Sequence, residues 1–436
     1  MERGKYQGKY AQKARMDAPL ALGGRWLWIC GPLPTPPHFL RALASRNYRL
    51  YFLGQCVSLL GNWMTATASL WLVYHLSGSA FAVGLVGFAN MIPVFLLAPF
   101  AGVLIDRVDG LQAVRLTQAL AMLQSTAMAA FTFSGHMTVP ILIGLSGVQG
   151  LINALDFPAR QALTYRFAGG EAPLDNVIAL NSITFNLARL VGPAIAGFVI
   201  AGFGPGACFT VDAVSYLAVL AALTAVRLPP RVPRDRLTHP LADLREGIRY
   251  AWRHPSIRRV LLMAAMIALA GFGHSILAPV FARDVFFGDA RTLGFLMSST
   301  GVGSLLAGVL LSWRTSPAGL MRMVEWGAMI AGVSLASLML RGGMPLAFLC
   351  YAGAGFGTVL VMVSTNTLIQ TLVEDEKRGR VLSLFTTAQG LFPIGSLIIG
   401  ALAEAFGPRA AMGACGVVCF CAALVFGGRF SRAAKI

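Results

Sequence analysis

Residues 177–203 read VIALNSITFNLARLVGPAIAGFVIAGF, and residues 206–228 read GACFTVDAVSYLAVLAALTAVRL. Only Arg189, Asp212 and Arg227 are charged in these two stretches, and Gly204-Pro205 joins them. Each stretch has about the 20 residues that a helix needs to cross the hydrocarbon core of a bilayer. The pair therefore predicts a hairpin of two membrane-spanning helices.

The same pattern continues along the whole chain. Of the 436 residues, 56% are hydrophobic and 12% are charged, with a mean hydropathy of +0.68, a balance too apolar for a soluble domain. We predict an all-α membrane protein with twelve transmembrane helices, here called spans. They are placed at 49–74, 82–105, 112–134, 139–158, 177–203, 206–228, 257–282, 292–313, 320–340, 345–372, 380–405 and 409–428.

The distribution of Lys and Arg predicts the orientation. Thirty of the 35 lie before span one, after span twelve or near the even-numbered connections, and four lie on the other side. Basic residues mark the cytoplasmic side, so both termini are expected in the cytoplasm of a cell-membrane protein. The net charge of +17 is thereby explained by topology, and no basic face with interleaved aromatic residues indicates nucleic-acid binding.

Two blocks of six spans are predicted. The expected organisation is a basic cytoplasmic extension at 1–45, a first bundle at 46–228, a cytoplasmic linker with an amphipathic helix at 229–256, a second bundle at 257–430 and a tail at 431–436. The extension is expected to be disordered, and Met16 offers a later start than Met1. Gly192, Gly197 and Phe203-Gly204-Pro205 recur 203 positions later, and Gly102-Val103-Leu104 recurs 206 positions later at Gly308. Such repeats are typical of transporters.

Several motifs resemble the major facilitator superfamily, in its drug and siderophore exporter branch. The first is GVLIDRVD at 102–109, which resembles the loop signature of the superfamily, although Gly110 and Leu111 replace its usual basic residues. Others are DFPARQ at 156–161, NLARLVGP at 186–193 and RGR at 378–380. The resemblance implies two pseudo-symmetric six-helix bundles. It also implies gating or helix-packing roles for Gly102, Asp106, Arg107, Asp156, Arg160, Gly192, Pro193, Arg378 and Arg380.

The Gly192-Pro193 element is similar to the motif of antiporters in this superfamily, which favours export by exchange. One departure concerns coupling: the branch often has Gly-Asp in span one, where this chain has Gly61-Asn62. An amide cannot carry a proton at physiological pH. If that aspartate carries the proton in relatives, another group must do so here.

Polar residues inside spans mark candidate substrate or ion pathways, because they are costly to place in lipid. Helical spacing puts Gln55, Ser58, Asn62, Thr65 and Ser69 on one face of span one. The other candidates are Asn186, Arg189, Asp212, His274, Asn366 and Gln370. Arg189 lies near the middle of span five, and two interpretations stay open: it binds an anionic substrate or a partner carboxylate, or it donates to carbonyls freed by Pro193.

Among the carboxylates of the spans, Asp212 is the first candidate for a proton carrier, since desolvation disfavours its charged form. Asp156 and Glu325 are expected to pair with arginines near the cytoplasmic face. Glu404 is expected to be hydrated at the end of span eleven. His274 is either a titrating group or a hydrogen-bonded interior residue.

These observations predict a secondary exporter of small amphipathic molecules, coupled to H+ antiport and working by alternating access, as a monomer. Uptake by symport and a non-transporting membrane sensor are the alternatives. No cluster of catalytic residues indicates an enzyme, and no Gly-x-x-x-x-Gly-Lys-Ser/Thr motif indicates ATP hydrolysis. The seven cysteines have no zinc-binding spacing, so neither a cofactor nor a metal is expected.

Overall fold

The structure, a computed structural model, describes residues 38–168, 173–226, 248–314 and 319–427. The described residues from 39 onward cluster as one compact unit. The predicted tail, most of the extension and most of the linker lie outside the described residues. Of the predicted linker helix, 248–253 is described and is helical.

The first half of the described chain contains six long helices. A 3-10 turn at His38–Ala44 precedes them. The helices are α1 (Arg46–Ser77), α2 (Ala80–Arg107), α3 (Gly110–Phe133), α4 (Val139–Ala168), α5 (Leu174–Phe203) and α6 (Pro205–Ala225). Ser45, Ser79 and Asp109 cap α1, α2 and α3 with their side-chain oxygens, which satisfies backbone N–H groups at helix starts.

The second half is less regular. It begins with α7 (Pro255–Met266), which continues through π-helical turns at Ile267–Gly271 and Phe281–Val285 and short α-helical pieces at Gly273–Ile276 and Ala278–Val280. Then follow α8 (Ala290–Ser312), α9 (Leu320–Ser337), α10 (Met344–Leu372), α11 (Asp375–Gln389), α12 (Phe392–Phe406) and α13 (Pro408–Gly427).

The helices agree with the predicted spans, with three differences. Span four continues to Ala168, ten residues beyond its predicted end at 158. Span seven extends to Val285 because its π turns hold extra residues, which brings Asp284 into the span. Span eleven is broken between Gln389 and Phe392, directly before Pro393, which has no N–H to continue the ladder. Ten helices in the described ranges are long and apolar enough to cross a membrane, and α3 and α9 complete the twelve spans.

The predicted repeat has a direct structural counterpart. Gly204, between α5 and α6, has φ 80°, and Gly407, between α12 and α13, has φ 86°. Both occupy the left-handed region that glycine adopts without strain, and Pro205 and Pro408 begin the next helices. The two Phe-Gly-Pro turns are therefore the same hairpin, built once in each half.

The halves meet along two helix pairs, α5 with α8 and α2 with α12. A Cβ added to Gly197 would lie 3.2 Å from the Cα of Gly294, and one added to Gly400 would lie 3.1 Å from the Cα of Gly84. Small residues let membrane helices approach this closely. Both crossings lie near one end of the molecule, at which α1 and α5 finish and α2 and α8 begin. We call this end the closed end.

At the other end, where α2 finishes, Phe100 and Leu104 are 64% and 51% exposed. Gly308, the repeat counterpart of Gly102, has no other atom within 4 Å of a built Cβ. The glycine contacts that the described residues make between the halves therefore lie between the closed end and the middle of the molecule, where Gly301 meets Leu190.

Candidate functional site

The polar residues of α5 lie on a different face from exposed apolar side chains such as Ile183 and Leu187, which are 59% and 53% exposed. Ser182, Asn186, Arg189 and Pro193 are spaced four, three and four residues apart, which places them together on the other face. Asn186 Nδ2 donates to the Ser182 carbonyl at 2.9 Å.

Arg189 has an incomplete set of partners in the described structure. Its Nε and Nη2 atoms are buried, and neither makes a hydrogen bond. The expected bonds to carbonyls freed by Pro193 are thus absent for these two atoms. A buried guanidinium without partners is unfavourable, so this position suits an incoming anionic group.

His274 of span seven is a second buried polar residue with an unused hydrogen-bonding atom. The ring is fully buried, and its Nδ1 is 3.0 Å from the Gly271 carbonyl oxygen. Tyr351 of α10 packs edge-on against it, with ring centroids 5.6 Å apart. His274 Nε2 and the Tyr351 hydroxyl also have no partner among the described residues. Three unpartnered polar groups therefore come from α5, span seven and α10.

The polar face of α1 is turned into the first half. Gln55, Ser58 and Ser69 are buried, and α6 packs along α1. A Cβ added to Gly61 would lie 2.6 Å from Asp212 Oδ1. Asn62 accepts a hydrogen bond of 3.0 Å from the Tyr216 hydroxyl. Asn62 of the predicted pathway stripe therefore contacts α6.

Asp212 is 1% exposed and faces both α1 and α3. Its Oδ2 accepts a 2.8 Å hydrogen bond from Ser125, whereas Oδ1 has no partner in the described structure. Oδ1 lies over Gly61, next to Asn62. Asp212 thus places a carboxylate from α6 beside the Gly-Asn pair in which the exporter branch often has its own aspartate.

Asp156 and Arg160 form a second buried polar cluster nearer the other end. They make an ion pair within α4, and Thr117 and Gln118 donate to Asp156 Oδ1 at 2.6 Å and 3.0 Å. Arg160 also donates to Gln55 Oε1. The cluster joins α1, α3 and α4 within the first half, in agreement with the structural role expected for Asp156.

The remaining predicted residues are dispersed. Asn366 and Gln370 bond to each other at 2.9 Å on an exposed face of α10. Arg378 Nη2 donates to the Val373 carbonyl, Arg380 lies in α11, and Gly192 packs against Trp63. Gly102, Asp106 and Arg107 lie in the last turns of α2. Their own side chains are outside the described part of the structure. The cap of α3 is Asp109, which also pairs with Arg166 at 3.1 Å.

Two contacts between the halves were not predicted. Tyr74 of α1 donates a short hydrogen bond to Asp284, and Glu404 of α12 accepts from Ser79 Oγ at 3.1 Å and from the Phe81 N–H at 3.2 Å. Asp284 was missed because the predicted span stopped at residue 282. The apolar run that continues past it to Phe287 is the signal that would have included it.

An apolar groove of about 420 Å³ lies elsewhere, between α2 and α4, and is lined by residues such as Phe88, Ile92 and Leu151. None of the predicted pathway residues lines it. No group of three or more His, Cys, Asp or Glu residues suited to a metal ion occurs among the described residues.

Relatives and solved structures with this pattern are transporters. The chain is 25% identical over 380 residues to the staphyloferrin A transporter of Staphylococcus aureus, covering 87% of this chain and 95% of the relative. It is 26% identical over 363 residues to the multidrug efflux pump Tap of Mycolicibacterium fortuitum, covering 80% and 87%.

Two solved structures share the fold. The nucleoside transporter NupG superposes with a TM-score of 0.66 at 15% identity, covering 88% of this chain and 98% of that one. A bacterial homologue of the iron transporter ferroportin in an inward-facing state superposes with a TM-score of 0.64 at 17% identity, covering 89% and 98%. The profile of the transmembrane secretion effector family matches residues 39–432. The chain therefore belongs to that family and is a multi-pass membrane transporter of the major facilitator superfamily.

Proposed function

We propose that the protein exports small amphipathic molecules from the cytoplasm in exchange for protons, by alternating access of its two halves. The observation that carries the proposal is the combination of a closed end, sealed by glycine crossings between the halves, with the unpartnered Arg189 at the middle of α5. A binding group that faces the meeting line of two bundles is what alternating access requires.

Arg189 is the proposed substrate contact. Its Nε and Nη2 atoms offer two N–H donors, a geometry that suits a carboxylate or another planar anion. The hydroxyl of Tyr351 and the ring of His274 lie in the same region and also have unused polar atoms. We infer that transported molecules carry an anionic group on an otherwise apolar body.

Asp212 is the proposed proton carrier. The position is supported by burial, by one unpartnered oxygen and by the contact with Gly61. Tyr216, one turn further along α6, connects the same region to Asn62. The carrier would then sit within the first half, between α1, α3 and α6, while the substrate binds on the face of α5 toward the second half.

The names of the relatives support the direction of transport. One is a transporter named for the compound staphyloferrin A, and the other is a multidrug efflux pump. We further propose a monomer in the cell membrane with both termini in the cytoplasm. The basic residues of the cytoplasmic side support that orientation.

The decisive experiment uses inside-out vesicles that contain the full chain, tested with a panel of dyes, antibiotics and siderophores of known charge. Acidifying the vesicle interior should drive accumulation of anionic members of the panel. Accumulation that is driven only by the opposite gradient would indicate uptake by symport, and no accumulation at all would favour a sensor.

Arg189→Met provides the residue-level test, because methionine keeps an unbranched side chain and removes the charge. We expect accumulation to be lost, while the melting temperature in detergent stays the same or rises, since an unpaired buried charge is removed. A fall in melting temperature with retained transport would show that Arg189 has a structural role. Arg409→Met, at the closed end, is the matched control.

A further inference from the structure

At the closed end, two carboxylates of the second half accept hydrogen bonds from the first half. Asp284 Oδ2 accepts from the Tyr74 hydroxyl of α1. Glu404 Oε2 accepts from Ser79 Oγ and from the Phe81 N–H at the start of α2. These partners are 210, 325 and 323 residues apart in the chain. They tie the beginning of α2 and the end of α1 to α12 and span seven.

The strength of both contacts depends on the carboxylate charge. Hydrogen bonds to an ionised acceptor are roughly twice as strong as neutral ones. The Glu404 carboxylate of α12 contacts the N-terminus of α2. The helix dipole and the free N–H groups at that N-terminus favour a negative charge. Protonation of either carboxylate therefore weakens the contact that it accepts.

Both carboxylates are open to the solution. Asp284 and Glu404 are exposed, and among the described residues neither has an ion pair within 4.0 Å. The Arg283 guanidinium lies 5.9 Å from the centre of the Tyr74 ring. Tyr74 lies near the end of α1 and Ser79 caps the start of α2, so the two contacts lie in one neighbourhood.

Other charged groups around this neighbourhood are engaged elsewhere or point away. The start of α8 packs against the π turn that holds Asp284, and its Asp289 and Arg291 pair with each other at 3.8 Å. Arg409, at the start of α13, donates to the Leu340 carbonyl. His75, beside Tyr74, is exposed.

We propose that the charged carboxylates of Asp284 and Glu404 form a latch that holds the two halves together at the closed end. Loss of either charge weakens the hydrogen bonds that the carboxylate accepts and shifts the population toward the state that is open there. The inference rests on the proposed function, because it assumes that the transporter opens alternately at its two ends.

The test measures opening directly. Ala80, the first residue of α2, is 5% exposed, and its carbonyl oxygen would lie 2.9 Å from a Cβ on Gly400. In the full chain, Ala80→Cys is labelled in intact cells with a membrane-impermeant thiol reagent. The rate is divided by that of a Phe287→Cys variant at the same pH, because Phe287 is 88% exposed and reports the reactivity of a free thiol. The chain without either reporter gives the background.

We expect Asp284→Asn and Tyr74→Phe each to raise the labelling rate, by about tenfold for the loss of one bond to a charged group. Combining them should add little, because they remove the same contact. Glu404→Gln should add a further increase. Asp289→Asn, at the same end but bonded only within its own half, should have no effect.

Unchanged labelling in all these variants would overturn the latch. Tyr74→Phe removes a single oxygen atom, so it remains informative if a carboxylate variant misfolds. The outcomes separate the two proposals. Normal export with unresponsive labelling rejects the latch and leaves the function standing, whereas responsive labelling without any export rejects the function alone.

Discussion

Asp212 and Asp156 are both buried carboxylates of the first half, but their surroundings differ. Asp156 has an arginine partner and two further donors, whereas Asp212 accepts one hydrogen bond and keeps one oxygen free. A satisfied ion pair is suited to holding helices together. A carboxylate with a free oxygen and no counter-ion is suited to taking up a proton.

The two residues should therefore respond differently to neutralisation. Asp212→Asn should reduce export driven by a pH gradient to the rate measured without a gradient, while exchange of labelled for unlabelled substrate continues. Asp156→Asn should instead lower stability by about 3 to 5 kcal/mol, since it leaves the buried Arg160 without its partner. Transport assays and thermal unfolding on both variants check this, and gradient-driven export that survives in Asp212→Asn would contradict it.

At the residue scale, the sequence indicated which side chains were unusual but not what each would face. The stripe of Gln55, Ser58 and Thr65 was correctly placed on one face of a helix, because helical periodicity fixes relative positions along α1. Periodicity does not fix the neighbour of that face, and a polar face can line a cavity or pack on another helix. The hydrogen bond between Tyr74 and Asp284 joins residues 210 positions apart, so no local sequence pattern could predict it.

Helix crossings depend on single glycines that can be tested within one helix. A methyl group at Gly197 would lie 2.6 Å from the Ala290 carbonyl oxygen and 3.1 Å from the Arg291 Cα, whereas Gly202 has no other atom within 4 Å. Gly197→Ala should cost about 1 to 3 kcal/mol through overpacking against rigid backbone. Gly202→Ala should be neutral or slightly stabilising. Thermal unfolding of the two purified variants distinguishes the positions, and equal melting temperatures would argue against the crossing.

The connection between α2 and α3 should be sensitive to acid. Partial burial raises the pKa of Asp109, but the Leu111 N–H and the Arg166 guanidinium lower it more, and the net pKa lies below its ordinary value of 3.8. The stabilising contribution is therefore complete above about that value and disappears as the pH falls through the lower pKa of the folded state. Asp109→Asn should remove this component of acid destabilisation, measured as melting temperature against pH, with Asp175→Asn as the control.

At the element scale, the hairpins, the repeat and most helix positions were predictable, because they depend on hydrophobic length and on turn residues. The break in span eleven before Pro393 was less predictable. Pro193 lies within α5, which is unbroken, at the position that corresponds to Ser396 in the second half. The presence of a proline therefore does not by itself predict whether the helix is continuous or interrupted.

For the whole molecule, the orientation is the property most open to a direct check. Phe287→Cys lies in the connection before α8, and Trp313, which is 79% exposed, lies at the other end of α8. In intact cells an impermeant thiol reagent should label Phe287→Cys, and Trp313→Cys should be labelled only in inside-out vesicles. The reverse pattern would place the closed end in the cytoplasm and overturn the predicted orientation.

The overall architecture was predictable from the distribution of charge and of apolar runs, because the bilayer imposes both. The conformation was not. Glycines at 84, 197, 294 and 400 permit close crossings, but a transporter makes and breaks such contacts during its cycle. The sequence encodes both states, and only coordinates show which set of contacts is formed.

The π-helical turns of span seven have a consequence for numbering. Each π turn holds about one residue more than an α-helical turn, so a relative that lacks either turn is shorter by one residue and keeps the same helix length. Alignments that pass through Ile267–Gly271 or Phe281–Val285 without a gap would then pair residues that point in different directions. Functional equivalences for His274 and Asp284 should be established by superposition, and insertions of a single residue in this span are sites where related transporters can acquire different chemistry.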